Sequence, residues 1–126
     1  MGIVISSGTR TVTNGSTLVQ PNISDSGTVV VSSGGIVTDA SICSGGKEIV
    51  SSGGSDSDAL VFSGGSIYVR TSGFVYNTTI YGKGYVSAAG GRVFGASVKS
   101  SGSLDVFGWS SGGSTVYGYT SCYGKI

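Results

Sequence analysis

Ser44-Gly45-Gly46-Lys47-Glu48-Ile49-Val50-Ser51-Ser52-Gly53-Gly54-Ser55-Asp56-Ser57-Asp58-Ala59-Leu60-Val61-Phe62-Ser63-Gly64-Gly65 is the stretch whose reading decides the fold. Three glycine pairs cut it into a short arm and a longer one. Moving 19 residues in either direction meets the same pattern: Gly8, Gly27, Gly46, Gly65 and Gly84 form one series, continued by Ser103 and Cys122. Gly15, Gly34, Gly53, Ser72, Gly91 and Ser110 form a second series at the same step.

Apolar residues keep the step as well. One column reads Val12, Val31, Val50, Val69, Ala88, Phe107, and another Val4, Ile23, Ile42, Val61, Ile80, slipping by one position to Val98. Two positions before four members of the second column stand Pro21, Ala40, Ala59 and Thr78, as same-face neighbours in a strand would be, and Ser97 continues them at the 19-residue step; all are small. A helical array would need a 3.6-residue period and would lose about 1 kcal/mol at each interior glycine. Strands of β-branched residues turning at glycine corners fit both patterns. Stacked about 4.8 Å apart, the repeats turn each column into a ladder. The expectation is an all-β, parallel β-helix (β-solenoid) of about six coils, 8–26, 27–45, 46–64, 65–83, 84–102 and 103–121, in a single array over 1–126, with the Val12 column pointing inward.

Composition agrees only when read together with this period. Twenty-four glycines among 126 residues, 10% charged residues and one proline would suit a flexible linker if the apolar residues were not periodic. A net charge of +1, from seven basic and six acidic residues set singly, leaves no basic stripe to displace counterions, so no nucleic-acid partner is expected. No apolar run reaches the roughly 18 residues of a transmembrane segment, and Met1 to Gly8 lacks the pattern of a signal peptide. The repeat begins in mid-arm at Met1 and runs nearly to Ile126, so a neighbour is expected at one or both ends.

The paired spacing, Ser44-Gly45-Gly46 through Gly53-Gly54 to Ser63-Gly64-Gly65, resembles the passenger repeats of AIDA-type self-associating autotransporter adhesins over essentially the whole chain. That resemblance implies a right-handed parallel β-helix outside the outer membrane, at the bacterial cell surface, working in adhesion, self-association or biofilm formation. It implies as partners further copies of the chain or other surface proteins and glycans, and an O-glycosyltransferase that adds heptose to Ser and Thr. The chain departs from the family pattern in its irregular last coils, as at Gly108-Trp109-Ser110-Ser111, and in having neither signal peptide nor membrane β-barrel.

Chemistry finds little purchase here. Without histidine, Ser/His/Asp and Cys/His nucleophiles are excluded. The acids Asp25, Asp39, Glu48, Asp56, Asp58 and Asp105 are spread over four coils, and the expectation is that they are solvated corner positions. Asp56-Ser57-Asp58 is superficially like a calcium β-roll, but the positions equivalent to Asp56 in adjacent coils are Val37 and Val75, so carboxylates from successive turns cannot share a cation. Gly82-Lys83-Gly84 lacks the helix of a phosphate loop and reads as a corner, and the triplets Asn22-Ile23-Ser24 and Asn77-Thr78-Thr79 occur by chance in such a chain. No enzyme activity, cofactor or metal is expected. Cys43 and Cys122, close to four coils apart, would be separated by roughly 19 Å along the stack and are not expected to bond.

All twelve aromatic residues lie at or after Phe62. Tyr68, Tyr76, Tyr81, Tyr85, Trp109, Tyr117 and Tyr119, with Tyr123, are candidate contacts for sugars or another protein; filling a wider core or stacking between coils is the competing reading. The leading function is an adhesin or self-association module. The alternatives are a carbohydrate-binding or carbohydrate-cleaving β-helix of phage-tail or secreted type, a structural spacer, and, remotely, an ice-binding row at Thr9, Thr11 and Thr13.

Overall fold

A computed structural model describes residues 3–82, 84–89, 92–99, 103–107 and 115–117. Its strands, numbered in chain order, stack in three parallel sheets around one core. Sheet I holds two-residue strands: β1 (Val4–Ile5), β4 (Asn22–Ile23), β7 (Ser41–Ile42), β10 (Leu60–Val61), β13 (Thr79–Ile80) and β16 (Ser97–Val98). Sheet II holds the longest strands, β2 (Thr9–Val12), β5 (Thr28–Val31), β8 (Lys47–Val50), β11 (Ser66–Val69), β14 (Tyr85–Ala89) and β17 (Ser103–Phe107). Sheet III stacks β3 (Thr17–Val19), β6 (Ile36–Thr38), β9 (Ser55–Ser57), β12 (Phe74–Tyr76), β15 (Arg92–Phe94) and β18 (Thr115–Tyr117).

Every strand pair among the described residues is parallel, so no hairpin forms at their glycine corners. Val12, Val31, Val50 and Val69 stack inward, each at most 3% exposed. Alternation along the strand sends their neighbours outward, Thr28 and Val30 on β5 and Ser66 and Tyr68 on β11, while both strands turn Val or Ile inward.

The doubled glycines serve two different needs, which the third coil shows. Gly45 sits at φ +81°, in the left-handed region that a side chain resists, and a Cβ there would also meet the Asp25 carbonyl. Gly46 has ordinary dihedrals but lies against the coil below, where a Cβ would run into the Ile23 carbonyl.

Three points correct the sequence reading. First, Val4 is 69% exposed and Ile5 takes the inward place, facing Ile23. The corner leading from β1 to β2 is one residue shorter than those above it, and a one-residue slip turns a strand over. Second, a similar shortening between β14 and β15 makes Ala96, not Ser97, the small buried residue, and register then pairs Val106 with Ala88 while Phe107 faces Ala89. Third, the longer arm is not one segment: it bends again at Gln20, Asp39, Asp58 and Asn77, all with φ between 53° and 60°. Asn and Asp tolerate this conformation better than other non-glycine residues, and each bend amide donates to a carbonyl of the next coil, as Asp58 does to Tyr76 at 2.8 Å.

Candidate functional site

Among the described residues the candidates Tyr68, Tyr76, Tyr81 and Tyr85 lie on the outer face in separate stacks that climb from coil to coil. Tyr76 on sheet III stacks on Phe94 of the next coil at 5.0 Å, with Phe74 lying against both rings. Tyr81, just past β13, stacks on Phe62 of the coil below at 5.4 Å and 8°. Tyr68 and Tyr85 meet edge to face at 6.1 Å on sheet II, where the Lys47 ammonium lies 5.4 Å from the Tyr68 ring centre. The tyrosines are therefore divided among three sides of the coil. Tyr117 falls in β18, where only its pairing with Phe94 is described, and Trp109, Tyr119 and Tyr123 lie outside the described residues.

An open trough runs beside sheet I, lined by the polar Gln20, Asn22, Asp39 and Ser41 and by the apolar Val4, Pro21 and Leu60. Side-chain amides, a carboxylate and a hydroxyl beside this apolar surface suit an extended ligand with both polar and apolar faces more than an enclosed small molecule. Cys43, at its margin, is half-buried and its thiol donates a long contact to Asn22 Oδ1 at 3.8 Å. Cys122, the other half of the pair considered above, lies outside the described residues.

Two of the acids are not solvated corner positions. Glu48 on β8 and Asp56 on β9 are fully buried, pointing into the core of the third coil. None of their four carboxyl oxygens reaches a partner at ordinary hydrogen-bond geometry. What polar interaction remains for Glu48 is with Asp56, and for Asp56 with Glu48 and the Ser57 amide. Burial lifts Glu48 well above the usual carboxylate range, and the neighbouring Asp56 lifts it further. Burial likewise pushes Asp56 up to about 7, with the charges of Asp58 and Asp39 adding to the rise and the remaining polar interactions with Glu48 and the Ser57 amide opposing it. The signal was present in the sequence, because Asp56 occupies the column of Val37 and Val75, which is a core column. Asp58, two residues on, is exposed at the bend. Among the described residues no three His, Cys, Asp or Glu side chains come together as a metal site, and no helix is long and apolar enough to cross a membrane.

No family model matches the chain, and no curated protein matches it in sequence. Among solved structures it is similar to the TibC-catalysed, hyper-glycosylated TibA55-350 fragment, at 34% identity and a TM-score of 0.83. The match covers 89% of this chain and 40% of that one. The likeness includes the stacked parallel sheets.

Proposed function

We propose that the chain is a passenger-type module of a bacterial surface adhesin that binds further copies of itself side by side along its outer ladders, without catalysis. The observation that carries this reading is the likeness to the TibA fragment, an autotransporter adhesin passenger, over nine-tenths of this chain. The outer face supports it: Tyr76 and Tyr81 are each more than one-third exposed, and their stacks form ridges, not a cleft. A net charge of +1 leaves little repulsion between copies. On this reading the chain works outside the cell, and exposed corner hydroxyls such as Ser44, Ser52 and Ser63 are where a transferase would attach sugar, as TibC does to the TibA fragment.

Sedimentation from dilute to concentrated solution tests the reading. A mass that grows with concentration, and falls back in Tyr76→Ser and Tyr81→Ser variants that keep the parent's circular dichroism, is the expected result. A protein that stays monomeric throughout removes it. The trough beside sheet I favours a second reading, glycan binding, and a soaked oligosaccharide lying along Asn22 and Ser41 would move the assignment there.

A further inference from the structure

We infer that the third coil carries a proton latch: Glu48 and Asp56 keep this layer of the core closed while they share a proton, and its loss opens the solenoid there. The inference holds whether or not the chain is an adhesin.

Position comes first. Glu48 pairs in register with Val29 below and Ile67 above, and Asp56 with Val37 below and Val75 above, so a layer with two carboxyls lies between two apolar layers. All four flanking side chains are fully buried, as are both acids. The elements packed against the pair, β5, β6, β7, β10, β11 and β12, turn only Val and Ile inward, so no cation faces it from any of them. Lys47, beside Glu48 on β8, points outward over the Tyr68 ring. The charged groups outside the layer that act on it are Asp58 and Asp39, which repel a second negative charge. Two ionised carboxylates surrounded by apolar side chains are among the costliest contents a core can hold, whereas a carboxylic acid donating to a carboxylate satisfies part of both.

The sign follows from proton binding. Folding raises both carboxyls above their ordinary range, so over that interval the folded chain holds more protons than the unfolded one. Stability contributed by the pair is complete below about pH 4 and falls as pH rises through neutrality; the proton passes to solvent and the layer is left with two negative charges. Most carboxylates in folded proteins do the reverse, losing stability in acid. Because each coil touches only its neighbours, opening one layer exposes the faces of β5, β6, β11 and β12 to water and divides the stack.

The test is urea unfolding followed by circular dichroism from about pH 4 to about pH 9, with amide hydrogen exchange of residues 47–57 corrected for intrinsic rate. The unfolding constant of the parent chain is expected to rise on the order of a thousandfold across this range, with exchange in the third coil accelerating before that of its neighbours. The double variant Glu48→Gln, Asp56→Asn should lose that slope. If the amides prevent folding, Glu48→Val with Asp56→Val places the residues of the second coil in both positions and should also be flat. A parent chain whose stability does not change with pH, or a double variant with the same slope, overturns the latch. Alkaline stability restored by calcium and removed by chelator overturns it too, by making the pair a cation site.

Discussion

Thr78 stands where its own column asks for something else. The corresponding corner residues are Pro21, Ala40, Ala59 and Ala96, all buried without a polar side chain, and the buried Thr78 hydroxyl has no hydrogen-bond partner. Thr78→Val keeps the shape and removes the stranded group, so it should stabilise the chain by about 1–2 kcal/mol, read as a higher urea midpoint at unchanged slope. An unchanged or lower midpoint would show that the hydroxyl is satisfied. Single residues were unevenly legible in the sequence. The Val12 column was plain because the glycine step and the apolar step coincide. Glu48 and Asp56 were read as solvated, since acids usually are, although the column of Val37 and Val75 already put Asp56 inside.

The two demands on corner glycines can be told apart at positions where only one of them acts, Gly46 between two coils and Gly15 in the first coil. Gly46→Ala sets a methyl group against the Ile23 carbonyl of the coil below, and backbone held in a parallel ladder on both sides cannot give way. Gly15→Ala meets nothing within 4 Å and bears only the strain of φ +79°. The expected losses are about 3 kcal/mol or more for Gly46→Ala and about 1–2 kcal/mol for Gly15→Ala, measured by urea unfolding. Equal losses would mean that the strand stack relaxes around the added carbon. The glycine corners were visible in the sequence because glycine marks them. The third bend was not, since Gln20, Asp39, Asp58 and Asn77 reach the left-handed region without glycine, and only their recurrence at the 19-residue step betrayed it. Shortened corners before β2 and before β15 were beyond a fixed period, which is why Val4 and Ser97 were set in columns that belong to Ile5 and Ala96.

Across the molecule, stability is a chain of neighbour terms, since each coil contacts the next and little else. Val50 lies fully buried in the third coil, ranked between Val31 and Val69. Val50→Asp would place a charge in that column, and hydrogen exchange should show protection lost in the third coil and the faces against it, while sheet I strands β13 and β16 keep theirs. Uniform loss over the whole chain would mean that the stack folds as one cooperative unit.

The amides of the corners and strands reach along the stack, from Asn14 to Ser33 and from Ser33 to Ser52, so the hydrogen bonds run parallel to its axis. Tension applied along that axis loads each interface between coils through all its bonds at once, while the interfaces follow one another in series. A rod built this way does not yield gradually. It holds at near-constant length until its weakest seam parts, and the seams above and below Glu48 and Asp56 are where rupture begins once the medium is alkaline.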